Sequence, residues 1–136
     1  MILTDAGPLT ALIDPRDPDH QRCASIAASR LGPLATTWPA FTEAMYLAGR
    51  AAGWRAQEVL WRWIASGALV VQDLTPRTVA RMPVLMERYS DLPMDLADAS
   101  LVALAEERRL RQVFTLDSDF RVYRLPTGEP FELVPS

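Results

Sequence analysis

Short apolar runs alternate along this chain with spacers long enough to hold a helix, and that rhythm restricts the fold more than any other property of the sequence. Residues 1–5, 33–36, 68–72, 113–116 and 131–134 read as strands. Parallel neighbours need crossovers of about a dozen residues or more, which most of these spacers supply. The pattern predicts an α/β fold whose central, mostly parallel sheet is covered by helices on both faces. At 136 residues the chain suffices for one such domain, spanning 1–136, and not for a second.

Start and stop signals place the helices. Residues 6–8 read as a turn, with Pro8 in the first turn of a helix carrying Leu9, Leu12 and Ile13. A loop of turn formers over 14–19 leads into a helix over 18–31 with Ile26, Ala27 and Leu31 facing inward. The hydroxyls and early proline of residues 36–39 mark a helix start that runs to about Gly49 and carries Phe41, Met45, Tyr46 and Leu47. Gly53 opens another, in which Trp54, Leu60, Trp61 and Ile64 recur at helical spacing up to Ser66 and Gly67. Thr75 and Pro76 begin a helix that Pro83 should kink or split, and residues 94–109 form a further one.

In parallel sheets, ligands bind beyond the carboxyl ends of the strands, and Asp5 and Asp117 stand at two such ends. Two more acids fall on helix faces that are otherwise apolar. Asp98 shares its i+3, i+4 and i+7 stripe with Leu101, Val102 and Ala105, and Glu43 shares its face with Ala40, Tyr46 and Leu47. A carboxylate on a core-facing stripe is costly unless it is paired or holds a metal. Taken singly, each acid has a plainer reading. Asp5 and Asp117 can be turn residues after strands, Asp95 a helix cap, and Asp119 the cap of a short helix beginning at Phe120. Asp14, Asp17, Asp19 and Asp91 are loop carboxylates.

Four acids able to reach one edge would repel strongly, since two unit charges ~4 Å apart at an effective dielectric of ~20 cost about 4 kcal/mol. One or two Mg²⁺ or Mn²⁺ ions relieve that repulsion. Hard cations prefer oxygen ligands, and a carboxylate set with few nitrogens or sulfurs does not favour zinc. Ions about 3.5–4 Å apart can activate a water and stabilise the leaving oxygen of a displacement at phosphorus. The constellation therefore points to phosphodiester hydrolysis by metal-activated water.

Composition closes other routes. The chain has no lysine, one histidine (His20) and one cysteine (Cys23), and all 14 of its basic residues are arginine. A two-histidine ribonuclease, a Walker-loop NTPase and a serine hydrolase with a Gly-x-Ser-x-Gly elbow are excluded. A response-regulator receiver or a haloacid-dehalogenase-like phosphotransferase also places an acid after its first strand. Each normally employs a lysine, and Asp5-Ala6-Gly7 lacks the second aspartate of the latter. The net charge of -3 runs against a nucleic-acid partner, an objection that weakens if four of the 17 acids hold metal. Without a basic leader or an apolar run near ~20 residues, the sequence predicts a cytoplasmic protein that does not engage a membrane. His20 reads as an exposed polar residue and Cys23 as a small residue on a helix.

With those positions in place, the chain resembles the PIN domains, and specifically the VapC-like ribonuclease toxins, over essentially its whole length. The likeness is carried by Leu3-Thr4-Asp5-Ala6-Gly7-Pro8-Leu9, Thr36-Thr37-Trp38-Pro39-Ala40-Phe41-Thr42-Glu43-Ala44, Met94-Asp95-Leu96-Ala97-Asp98-Ala99-Ser100-Leu101 and Phe114-Thr115-Leu116-Asp117-Ser118-Asp119-Phe120. It implies a three-layer α/β/α PIN-like fold in which Asp5, Glu43, Asp98 and Asp117 form the catalytic, metal-ligating set for Mg²⁺ or Mn²⁺, with Asp95 and Asp119 as accessory ligands. It also implies endonucleolytic cleavage of RNA to a 5′-phosphate and a 3′-hydroxyl, a homodimer, and neutralisation by a small antitoxin. Many members carry serine or asparagine two residues after the first aspartate, where this chain has Gly7.

Two alternatives stay open. One is a PIN nuclease that processes RNA, or acts on structured DNA, without toxicity. The other is a catalytically silent α/β binding module. At the surface, Arg16, Arg22, Arg121 and Arg124 are candidates for phosphate contacts, set against simple solvated charges. Trp54, Trp61, Trp63 and Ile64 read as core, although Trp54 and Trp61 share a face that could instead form a partner groove.

Overall fold

The computed structural model describes residues 1–29 and 32–136. Strands β1 (Ile2–Thr4), β2 (Leu34–Thr37), β3 (Leu69–Gln72), β4 (Gln112–Phe114) and β5 (Glu132–Val134) form one sheet in the order β3-β2-β1-β4-β5. Every pairing in it is parallel. Around it lie α1 (Ala6–Ile13), α2 (His20–Ala28), α3 (Trp38–Ala52), α4 (Trp54–Ser66), α5 (Pro76–Arg88) and α6 (Leu96–Arg108), with a 3₁₀ turn at Ser118–Arg121.

Side chains alternate across a strand, and here both faces are apolar because both are covered. Leu3, Ala35 and Val113 pack with Leu85 of α5 and Leu101 and Leu104 of α6. Ile2 and Phe114 point the other way, onto Ala11 of α1 and Cys23 of α2. A third cluster joins α1, α3 and α4 through Leu9, Phe41, Ala44 and Leu60. The result is the expected three-layer α/β/α arrangement. Because all strands run the same way, the carboxyl ends of β1, β2 and β4 share one edge.

Several local expectations are corrected. Residues 6–8 are the first turn of α1 rather than a separate turn before it, because the Asp5 carboxylate caps that helix at the Ala6 N–H. α3 passes Gly49 and stops at Gly53, whose φ of 66° ends the helix. Gly49 is a packing residue instead, since a Cβ there would come within 2.6 Å of the Gln57 side chain of α4. Pro83 does not split α5, which runs through it as one helix; Pro83 and Val79 are both exposed, so water can reach the carbonyl that the missing N–H leaves unpaired. α2 begins at His20, and the expected inward position of Leu31 lies outside the described residues.

The tryptophans are corrected as well. Trp54 is 61% and Trp61 45% exposed, because Ala56 and Leu60 occupy the buried side of α4. Trp63 and Ile64 are half-buried against the core, as expected. Trp61 and the exposed Trp38 each pack edge-on against Phe41, with centroids at 5.4 and 5.7 Å.

Candidate active site

The shared strand edge gathers the acids through a chain of local hydrogen bonds. Asp5 follows β1 and prolongs its ladder, its N–H donating to the Phe114 carbonyl at 2.9 Å. Its Oδ1 accepts from the Ala6 N–H at 2.8 Å, and its Oδ2 accepts from the Thr115 hydroxyl at 3.0 Å. That hydroxyl also accepts the Asp117 N–H at 3.0 Å, so Thr115 ties two of the acids together. Asp117 in turn caps the 3₁₀ turn, accepting from the Asp119 N–H at 2.9 Å.

α6 starts at the same edge. Asp95 caps it, accepting the Asp98 N–H at 2.8 Å, and Asp98 enters the site from the first turn. Asp98 Oδ2 accepts from the Tyr123 hydroxyl at 2.7 Å. Tyr123 is buried edge-on between the Tyr89 and Phe120 rings, each with its centroid 5.0 Å away, and this fixes the direction of its hydroxyl.

One oxygen from each of Asp5, Asp98 and Asp117 lies within 4.8 Å of the others. Oxygens on opposite sides of a hard divalent cation stand roughly 4–5 Å apart, so the three fit around one ion, and an all-carboxylate set suits Mg²⁺ or Mn²⁺. Asp98 is only 4% exposed. Burial pushes its pKa up to about 8 against the pull of the Tyr123 hydrogen bond, and the charges of Asp5, Asp95 and Asp117 add to the rise. Burial also holds Asp5 above the ordinary carboxylate range, opposed by the Ala6 N–H and Thr115, with Asp117 and Asp95 raising it further. Without a cation, Asp98 keeps its proton at neutral pH. Among the described residues no buried side-chain nitrogen or oxygen lacks a partner, so the buried carboxyls of Asp5 and Asp98 are held by satisfied bonds.

The fourth expected acid stands apart from this close trio. Glu43 is exposed on α3; of the neighbours expected on its face Ala40 is buried and Leu47 half-buried, but Tyr46 is 61% exposed, so Glu43 stands at the rim of the stripe rather than within it. It is still within electrostatic reach of the site: partial burial, then the charges of Asp5, Asp95 and Asp117, raise its pKa. By contrast, Leu101, Val102 and Ala105 beside Asp98 are all buried, as their spacing predicts. Asp95 is the helix cap it was expected to be. The cap of the 3₁₀ turn, however, is Asp117, because the turn starts at Ser118 and not at Phe120.

Thr115 and Tyr123 are the site residues that sequence reading missed. A threonine two before a strand-end aspartate is a recognisable turn-forming pattern. Nothing in the sequence signals Tyr123, whose role depends on tertiary packing. His20 is half-buried rather than exposed, its Nδ1 2.7 Å from the Ala11 carbonyl. Cys23 is buried in the core, and burial pushes its thiol up to about 11. A Cβ on Gly7 would meet Leu116 at an ordinary 3.7 Å, so the backbone does not demand glycine there.

Comparison with known proteins gives a concordant picture. Residues 2–125 match the model of the PIN domain family. The chain is 27% identical to ribonuclease VapC26 of Mycobacterium tuberculosis over 135 residues, covering 98% of this chain and 100% of that protein. Its fold is similar to the crystal structure of Mycobacterium tuberculosis VapC20, described as a sarcin-ricin loop cleaving toxin, with a TM-score of 0.82 at 20% identity over 90% of this chain and 94% of that one. A toxin-antitoxin complex from Klebsiella pneumoniae contains a chain that superposes with a TM-score of 0.67 at 19% identity, over 88% of this chain and 90% of that one.

Proposed function

The chain belongs to the PIN domain family, and from that premise we propose that it is a Mg²⁺- or Mn²⁺-dependent endoribonuclease, the VapC-like toxin of a toxin-antitoxin pair. The observation that carries this reading is the meeting of Asp5, Asp98 and Asp117, from three distant segments, within 4.8 Å. The similarity to VapC26 along the full length of both chains supports the substrate class.

In this reading Asp5, Asp98 and Asp117 hold the ion, and Glu43 completes the set from the rim of α3. Asp95 and Asp119 are accessories. Asp95 anchors the backbone of Asp98, and Asp119 adds charge beside the turn that Asp117 caps. A divalent cation bound here supplies charge neutralisation at the phosphate and an activated water. The protein's own part is positional. Thr115 spaces Asp5 from Asp117, and Tyr123 fixes Asp98 while it is ionised. No side-chain nucleophile is required, consistent with a chain that has no lysine and whose only histidine is bonded to the Ala11 carbonyl.

We further read residues 1–136 as one domain acting in the cytoplasm as a homodimer and neutralised by a small antitoxin. No helix among the described residues is long and apolar enough to cross a membrane. The likeness to a chain of the Klebsiella pneumoniae toxin-antitoxin complex supports the antitoxin partner.

The decisive experiment is an RNA cleavage assay with Mn²⁺, with chelator, and with Asp5→Ala. Cleavage that needs the ion and is lost in the variant supports the reading. Cleavage indifferent to both, or none by the wild-type protein, overturns it, and the latter result favours a silent binding module. Growth arrest on expression, relieved by co-expressing the small protein encoded beside it, separates a toxin from a processing nuclease.

A further inference from the structure

We propose that Arg22 and Arg121 form a docking subsite for a backbone phosphate of the RNA strand, on the outer side of Asp117. This rests on the ribonuclease reading above and names how a substrate would be held. Arg22 comes from α2 and Arg121 from the 3₁₀ turn, and the two meet in a small pocket of ≈ 120 Å³. Thr115, Asp117 and Ser118 line the same pocket, so it shares a wall with the acidic site.

The need for such a subsite follows from charge. A cluster of carboxylates repels a polyanion, and even a bound divalent ion offsets only part of that charge. Affinity for the strand must come from cations beside the cluster. Among the four arginines that sequence reading offered for phosphate contact, two are already engaged. Arg16 is held by Asp14 at 3.2 Å and by the Ala51 carbonyl at 3.0 Å. Arg124 donates to the carbonyls of Arg121, Val122 and Tyr123 at 2.6–3.1 Å.

The other two are available. The guanidinium of Arg121 makes no hydrogen bond or ion pair with the described residues and is exposed. Arg22 makes one ion pair, with Asp19 at 2.7 Å, in which both side chains are exposed. A pair of that kind is weak enough for a phosphate to compete with it. Two guanidinium groups and the Ser118 hydroxyl are among the donors of the residues that line it, and guanidinium forks suit phosphate oxygens. Such contacts position a strand without reading its bases, so the subsite seats RNA of any sequence and leaves specificity to other groups.

The test measures binding of a short, fluorescein-labelled, mixed-sequence single-stranded RNA by anisotropy in chelator, across a salt series, for wild type, Arg22→Ala, Arg121→Ala and the double variant. Each single change should raise Kd roughly five- to tenfold and reduce the slope of log Kd against log salt by about 0.7. In Mn²⁺ the loss should fall more on KM than on kcat, and Arg121→Lys should recover part of it. Arg108→Ala serves as the control: it is exposed near the far end of α6, roughly 15 Å along the helix from Asp98, and should keep the wild-type slope. Thermal melts establish that each variant is folded, with Arg→Gln replacing any alanine variant that melts early. If the double variant keeps wild-type Kd and slope while the wild-type protein binds and cleaves RNA, the subsite is wrong and the ribonuclease reading survives. If the wild-type protein neither binds nor cleaves RNA, both fall together.

Discussion

Asp98 is a carboxyl group with almost no access to water, whose pKa stands near 8 where an unfolded aspartate titrates near 3.8. Between those values the folded chain holds a proton that the unfolded chain has lost. Stability of the metal-free protein is therefore greatest on the acid side of this window and falls as pH rises through it, by at most about 1.4 kcal/mol per pH unit for one proton. Asp5 and Glu43 are shifted the same way and add to the trend. Thermal melts in chelator from about pH 5 to about pH 9 should show Tm declining, and Asp98→Asn should flatten the decline, match or exceed wild-type stability at the alkaline end, and abolish metal-dependent cleavage. A wild-type Tm that climbs with pH would refute the assignment. Thr115 is the complementary case, because its hydroxyl bonds the Asp5 carboxylate and the Asp117 N–H without being a candidate ligand itself. Thr115→Val should weaken Mn²⁺ binding about 10- to 100-fold by calorimetry while leaving all the acids present; unchanged affinity would reduce Thr115 to a packing residue. Asp98 was legible in the sequence because a buried helix stripe is periodic. Tyr123 was not, since only the folded chain brings it to Asp98.

Helix starts were legible for a similar reason: a cap is a local bond between near neighbours. Thr37, Thr75 and Asp95 each cap the helix that their position predicts. The failures at this scale are positions whose meaning depends on another element. Gly49 looks like a stop but makes room for Gln57, and the exposure of Trp54 and Trp61 depends on which side of α4 meets the core. Thr37 joins both categories. Besides capping α3 it lies 2.6 Å from the Ser100 hydroxyl of α6, within the core. Ser100 spends its proton on the Ala97 carbonyl at 2.7 Å, so Thr37 donates to Ser100. This bond fixes the helix that bears Glu43 against the helix that bears Asp98. Thr37→Ala should cost about 1–3 kcal/mol in denaturant unfolding. A double-mutant cycle with Ser100→Ala should show a coupling of about 0.5–3 kcal/mol; strict additivity would mean that the two helices are set by apolar packing alone.

At the level of the whole chain, the rhythm of strand and spacer predicts a parallel sheet, and the sheet is parallel throughout. Its order, β3-β2-β1-β4-β5, was not legible, because a crossover of given length can place β4 on either side of β1. That order matters. With β1 central between β2 and β4, the end of β1 delivers Asp5, the end of β4 delivers Asp117 through Thr115, and α6 inserts Asp98 beside them. The fold thus gathers carboxyl groups whose repulsion opposes its own compact state; on the proposed function a cation offsets that repulsion, which would link metal binding and folding through every element that meets at this edge. At an ion concentration about 100 times its Kd, binding adds about 2.7 kcal/mol of stability, which for a chain of this size corresponds to a rise in Tm of roughly 10 °C. Protons compete for the same oxygens, so the rise produced by Mn²⁺ at fixed concentration should be larger above about pH 8 than near about pH 6. It should also be larger in the wild-type protein than in Asp98→Asn at either pH. A Mn²⁺-induced shift equal in the two proteins would place the ion elsewhere on the molecule, and a shift that shrinks as pH rises would mean that the cluster is not where the protons and the metal exchange.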